Sequence, residues 1–517
     1  MRPVIETRQG RLVGVENKGI LLFRGVPYAR PPVGKRRFRP PEPAEPWAGE
    51  RDASETGASA PQSGGLPGPV GRFVGASNQR SEDCLYLNVW TPGLDDARRP
   101  VLVWIHGGAF VLGSGSVPLY SGRRLANRGD VVVVTINYRL GALGFLHLDL
   151  LRGDKTGASN LGIRDQVAAL RWVREHISEF GGDPENVTIF GESAGGMSVG
   201  SLLGVPDARE NVHRAILQSG AAHNVSSAER ASRVAEVFLE ELGLPTSAGD
   251  GDLERLPIEQ ILSAQAAAAR KLGIIHGTLP WQPAVDGDFL PDQPLAQVRA
   301  GHVAKIPLLI GTNRDEWKLF SFLDRATQRM DEDALRRRVE RLVPEKDDGG
   351  VAWADRAIEV YRTARAGRSR SPVALWNAIQ SDRVFRYPAQ RLAELQAEHQ
   401  PQTFSYLFEW TPRLGGRRVG ACHALEIPFV FGTLRHPLVR PVLGTGSEAR
   451  GLSRSIQESW LSFARSGRPE AVELPEWEPY EAGRRATLVL GRRSHVAFAP
   501  AEDERRFWSN HLASPGR

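Results

Sequence analysis

The pattern in this chain best suited to chemistry is a serine with glycines two positions away on either side, Gly191-Glu192-Ser193-Ala194-Gly195. It stands between an apolar strand-like run, 187–190, and a glycine-rich helical start near Gly196. A chain that turns sharply from strand to helix strains its central residue and tolerates only small neighbours. The turn then displays the serine hydroxyl near a helix N-terminus, where developing negative charge is favoured. Such a hydroxyl becomes a nucleophile only with a base to take its proton and an acid to orient that base.

On a turn of this kind the acid and then the histidine follow the serine in the chain. Each belongs on a loop at the carboxyl end of a strand. Of twelve histidines, His399, His423, His436, His495 and His511 lie beyond the acidic candidates. His399 precedes the strand-like run 403–410 and falls at its wrong end. His423 follows that run by the loop 412–420 and falls at the right end, with His436 a near alternative. His495 and His511 read as surface residues of the tail. For the acid, the run 306–310 opens into Gly311-Thr312-Asn313-Arg314-Asp315-Glu316. Asp315 and Glu316 are adjacent, and spacing does not choose between them. An oxyanion needs backbone N–H donors. The run 101–105 leads into His106-Gly107-Gly108-Ala109, a loop whose backbone can approach a substrate without a Cβ in the way. Gly107, Gly108 and Ala194 are therefore the candidate donors. His106 precedes the serine, the wrong order for a base, and is expected to shape the loop.

The elements that must hold these residues alternate between strand and helix. Short extended segments are expected at 4–7, 11–15 and 20–23, and strands at 85–90, 101–105, 131–136, 187–190, 215–217, 306–310, 403–410 and, last, 487–490. Several are continuous apolar runs, as in strands buried on both faces of a parallel sheet. A helix is expected over 165–180 with Asp165 at its start, and another over 447–466. The stretches 224–300 and 317–400 read as helical insertions. A loose Gly/Pro/Ser segment covers 54–81, as a linker or a surface loop. Length alone suggests about three domains. With no repeat and no long linker, one domain over residues 1–517 is the better reading. The fold class is α/β, with a large, mostly parallel sheet flanked by helices.

A composition of 41% hydrophobic and 24% charged residues excludes a wholly disordered or collagen-like chain. Two cysteines, Cys84 and Cys422, exclude a disulfide scaffold and a cysteine metal cluster. The 66 basic residues include only seven lysines, and the formal net charge is +6. The arginines are spread along the chain and interleaved with acids, as in 333–340, without a recognisable nucleic-acid reader motif, so nucleic acid is not an expected partner. The longest apolar runs fall far short of the roughly 20 residues of a membrane helix. With no apolar leader at the start, the expectation is a soluble cytoplasmic protein.

Taken together, several blocks resemble the type-B carboxylesterases, the group within the α/β-hydrolase superfamily that includes the cholinesterases. They are Phe23-Arg24-Gly25-Val26-Pro27-Tyr28-Ala29, Ser81-Glu82-Asp83-Cys84-Leu85-Tyr86-Leu87-Asn88-Val89, Asn137-Tyr138-Arg139-Leu140-Gly141 and Phe190-Gly191-Glu192-Ser193-Ala194-Gly195-Gly196. The resemblance spans nearly the full chain. It implies Ser193 as nucleophile, Glu316 rather than Asp315 as acid, and His423 as base, with Glu192 and Ser219 supporting them. It implies hydrolysis of small to medium uncharged carboxylic esters through an acyl-enzyme, with no metal or organic cofactor, by a monomer or weak homo-oligomer of bacterial type. Two alternatives remain: an amide, carbamate or lactone hydrolase using the same triad, and a non-catalytic binding protein.

The sequence departs from the family at three points. Ala424 stands where glycine usually follows the histidine, a change expected to be tolerable but able to reshape the loop. No cysteine precedes Cys84, so the bridge of the animal relatives cannot form. The stretch 72–76 lacks the tryptophan that stacks on choline, which argues against choline esters. Trp281, Phe320, Phe322 and Phe429 are candidate pocket linings.

Overall fold

The computed structural model describes residues 2–63, 79–273, 279–303, 305–342, 350–412 and 415–512. Strands β1 (Val4–Thr7) and β2 (Gly10–Val13) pair antiparallel. β3 (Val15–Asn17) and β4 (Ile20–Pro27) belong instead to the main sheet, and β5 (Glu50–Asp52) pairs with β2. The extended run expected over 11–15 is thus divided at Gly14 between two sheets.

The main sheet continues with β6 (Tyr86–Thr91), β7 (Arg99–Ile105), β8 (Val132–Ile136), β9 (Gly182–Glu192) and β10 (Arg214–Gln218). It is completed by β11 (Leu308–Asn313), β12 (Thr403–Phe408), β13 (Ala486–Leu490) and β14 (His495–Phe498). Its eleven strands run in the order β14-β13-β12-β11-β10-β9-β7-β8-β6-β4-β3. From β8 to β13 every pairing is parallel, and the strands beyond them on both sides pair antiparallel. The expected last strand is followed by one more, β14, which pairs with β13 and places His495 on the exposed edge.

The apolar runs are explained by burial on both faces. In β7, Val101, Val103 and Ile105 enter one core while Leu102 and Trp104 enter the other. Side chains of a strand alternate between faces, so a run without polar residues is what two buried faces require. Each such side chain contributes about 1.5–3 kcal/mol of burial.

One expected helix shifts. It spans Leu161–His176 rather than 165–180, with Asn160 at its N-cap and a short, tighter 3-10 turn from Ile177 to Phe180 beyond it. Asp165 is therefore inside the helix, fully buried, and accepts from the Arg139 guanidinium at 2.8 and 2.7 Å. A buried guanidinium has no other way to be neutralised there, which explains an acid in the middle of an apolar helix.

Between β10 and β11 the chain forms the helices Ala228–Glu241 and Ile258–Leu272. Between β11 and β12 lie several more, including Lys318–Leu323, Pro372–Ser381 and Tyr387–Ala397. Part of the second group forms a core of its own, in which Trp353, Tyr361 and Trp376 meet Phe507 and Trp508 of the C-terminal helix. No helix among the described residues is long and apolar enough to cross a membrane. The stretch 72–76 lies outside the described residues.

Candidate active site

Strand β9 ends at Glu192, and the helix Ala194–Leu203 begins two positions later. Ser193 between them has φ 57° and ψ −126°, on the positive-φ side that residues bearing a Cβ avoid. Its N–H donates to the Gln218 carbonyl at 2.9 Å, and its carbonyl accepts from Met197 N–H at 2.8 Å. The helix starts at Ala194 rather than near Gly196 because Ser193 itself occupies the N-cap position. A Cβ at Gly195 would collide with the Ile105 carbonyl oxygen, so the strand–helix crossing there requires glycine.

The loop after β7 folds over this turn. A Cβ at Gly107 would lie 3.0 Å from the Ser193 Cβ. Among the described residues, none of the Gly107, Gly108 and Ala194 N–H groups donates to a backbone carbonyl. Backbone donors left unpaired in a site are what an anionic oxygen requires. His106 braces the loop: its Nδ1–H donates to the Gly107 carbonyl at 2.8 Å, and its ring stacks on Tyr138 with centroids 4.5 Å apart. Burial lowers its pKa to about 4, which keeps it neutral.

Glu316 and His423 meet in the interior. Glu316 lies just past β11 and is fully buried, and His423 lies beyond the loop that follows β12. The His423 Nδ1–H donates to Glu316 Oε2 at 2.7 Å. Glu316 Oε1 accepts from the Ser219 hydroxyl at 2.6 Å and from Asn313 N–H at 2.7 Å. The carboxylate is thus fixed from both sides. Asp315 turns the other way, to Lys318 and Arg314 at 3.2 Å each, and accepts from Ala421 N–H at 3.1 Å. It secures the segment that carries His423 and does not reach the ring.

With Nδ1 protonated, Nε2 of His423 is the free acceptor. It lies 3.2 Å from Glu192 Oε1, the residue before Ser193, so the distal nitrogen stands at the strand–helix turn. The two do not form a hydrogen bond, and Glu192 Oε1 is buried without a hydrogen-bond partner. No hydrogen bond joins Ser193 Oγ to His423 either; such bonds are often long in ligand-free sites and tighten with substrate. Burial pushes Glu192 above the usual carboxylate range, with Glu426 and Glu316 adding to it. Burial alone would lower His423, but Glu192 and Glu316 outweigh it and hold the imidazole above its ordinary value.

The other histidines considered do not reach this place. His399 Nε2 faces the Arg299 carbonyl at 3.3 Å, and His511 packs on Phe507. Of the candidate linings, Phe320 contacts the His423 ring, with centroids 5.3 Å apart. Phe322 is 56% exposed, because two residues along a helix point to opposite sides. Trp281 packs on Phe238, and Phe429 on Phe408 and Trp410, so both are core.

Residue-by-residue reading of the sequence missed Phe385 and Glu426. Phe385 sits on a wide helical turn, Asp382–Arg386, and approaches the His423 ring to 4.7 Å between centroids. Nothing in the local sequence marks it. Glu426 is buried three residues after His423 and accepts from Gln218 at 3.1 Å and Asn313 at 2.6 Å. An acid at that spacing inside an apolar stretch was its one signal.

A family model described as the carboxylesterase family matches residues 1–508. The para-nitrobenzyl esterase of Bacillus subtilis (strain 168) is 39% identical over 510 residues, covering 97% of this chain and 98% of that protein. The phenmedipham hydrolase of Pseudarthrobacter oxydans is 35% identical over 505 residues, covering 95% of each. A solved carboxylesterase structure from Geobacillus stearothermophilus superposes with a TM-score of 0.85 at 41% identity, covering 98% of this chain and 100% of that one. A family model matched almost end to end, and relatives that share both the sequence and the sheet, make this chain a member of the carboxylesterase family with the α/β-hydrolase fold, an enzyme that hydrolyses carboxylic esters.

Proposed function

We infer that Ser193 attacks the ester carbonyl while His423 Nε2 takes its proton. Glu316 holds the ring in the required tautomer and stabilises its cation. Gly107, Gly108 and Ala194 N–H bind the oxyanion of the tetrahedral intermediate. His423 then returns the proton to the departing alcohol, and water activated by the same nitrogen cleaves the acyl-enzyme. The observation that carries this reading is the buried 2.7 Å hydrogen bond from His423 to Glu316, whose opposite nitrogen stands at the Ser193 turn.

The substrates we assign are small to medium uncharged esters. Phe320 and Phe385 present apolar rings around His423, and the buried acids Glu192, Glu316 and Glu426 disfavour an anionic substrate. We also read residues 1–517 as one domain; the support is a single sheet that takes strands from both ends of the chain, β3 and β14.

Ser193→Ala tests the roles. Turnover of a p-nitrophenyl ester should fall by about 10⁶-fold, and a fluorophosphonate should label the native chain once and the variant not at all. Unchanged turnover in the variant would remove Ser193 from the mechanism.

A further inference from the structure

Cations scattered in the sequence gather at one place on the surface. The helix Arg123–Gly129 brings Arg123, Arg124 and Arg128. The turn after Gly432 brings Arg435, and the helix Ser447–Ser466 brings Arg450 and Arg454. Lys18, between β3 and β4, completes the rim. These seven line a cleft of about 430 Å³ that has no Asp or Glu among its lining residues. An adjoining hollow of about 260 Å³ shares Arg123, Arg124 and Arg435 with it. Neither is lined by Ser193, Glu316 or His423.

Elsewhere many exposed arginines are paired, as Arg98 is with Asp183 at 2.7 Å and Arg171 with Asp207 at 2.8 Å. In the cleft, Arg128 reaches Glu458 at 3.4 Å and Arg450 donates to the Thr445 carbonyl. Lys18, Arg123, Arg124, Arg435 and Arg454 make no ion pair among the described residues. Burial, then repulsion from Arg123, Arg435 and Arg128, pushes the Arg124 guanidinium below its ordinary value. Gathered like charges raise the free energy of the empty cleft, and a bound counter-charge relieves it. Guanidinium forks suit phosphate, whose oxygens they bind two at a time.

We propose that this cleft binds a compact polyanion carrying at least two phosphoryl groups, at a site separate from the ester-cleaving one. Its volume is in the range of small-molecule pockets, and its concavity suits a discrete ligand better than a flat charged surface.

Inorganic tripolyphosphate is the probe, titrated calorimetrically into the full-length protein at 0.15 M NaCl, with orthophosphate for comparison. One saturable site is expected, with orthophosphate weaker. The double variant Arg124→Ala/Arg435→Ala should weaken binding about tenfold or more, since each charged hydrogen bond lost is worth that order. The double variant Arg370→Ala/Arg468→Ala, which removes the same charge from exposed positions elsewhere, should change it less than about twofold. Both variants should keep native ester turnover, which shows that they are folded. Absence of saturable binding, or equal weakening in both variants, would overturn the proposal. So would sedimentation with phosphatidylglycerol vesicles in the absence of tripolyphosphate binding, since that would mark a membrane-facing patch.

Discussion

Glu192 and His423 face each other at 3.2 Å, and each changes what the other holds. In the proposed mechanism the base must be neutral to accept the serine proton, so activity should be lost as pH falls through the His423 pKa. Because Glu192 and Glu316 raise that pKa, the acid limb of kcat/KM on an uncharged ester should lie above the ordinary imidazole value of about 6.5. Glu192→Gln removes the largest of the three raising charges, those of Glu192, Glu316 and Glu426. The limb should then move to lower pH, by about one unit. A pH–rate profile of the variant that coincides with the native one would show that Glu192 does not act on the ring. The sequence pointed to His423 through chain order and loop placement. It left Asp315 and Glu316 open, because a choice between adjacent acids depends on which way each side chain turns. That direction is set by Ser219, which holds Glu316, and by Lys318, which pairs with Asp315.

At the scale of elements, the loop carrying His423 is tight enough to need an unusual backbone. Ala424 has φ 65°, in the left-handed region, and is buried. The family's preference for glycine at this position has that physical cause, and the backbone conformation is left-handed here although a methyl group is present. An L-residue in that region costs about 1–2 kcal/mol, while a glycine costs about 0.4–1 kcal/mol more in the unfolded chain. Ala424→Gly should therefore raise stability by up to about 1.5 kcal/mol, read from urea unfolding. A loss of stability would mean that the methyl packs well enough to outweigh the strain. The helical insertion between β11 and β12 also serves the site: it supplies Phe320 and Phe385 to it, while part of its apolar surface forms a separate core and part, including Leu392 and Leu395, joins the main one. Its helical character was legible from periodicity. Which of its aromatics face the site was not, because Phe320 and Phe322 differ only by their turn around the helix.

Across the whole molecule, Arg139 ties distant segments together. Its guanidinium donates to Asp165 in the helix Leu161–His176 and to the Arg39 carbonyl at 2.8 Å, from the chain just beyond β8. Asp165→Asn would leave a buried cation without its counter-charge. Stability should fall by about 3–5 kcal/mol, measured by chemical unfolding, and a loss under 1 kcal/mol would show that water or a neighbour replaces the carboxylate. The arginine-rich composition takes on two meanings at this scale. Most arginines are dispersed and many are paired with acids, as their interleaving in the sequence suggested. Most of those around Arg124 make no ion pair among the described residues, and their gathering depends on the helix Arg123–Gly129 meeting segments that lie about 300 residues further along the chain.

The order of strands and helices, the strand–serine–helix turn and the glycine loop were determined by the sequence alone, because apolar periodicity and the need for small residues act between near neighbours. The tertiary structure decided what depends on distant segments. It set Glu316 rather than Asp315 against His423, placed Phe385 and Glu426 beside the ring, moved Asp165 from a helix start to a buried ion pair, and collected the cations of the cleft. Those outcomes depend on the direction of side chains from elements brought together only when the sheet closes its two cores, and no local pattern encodes that direction.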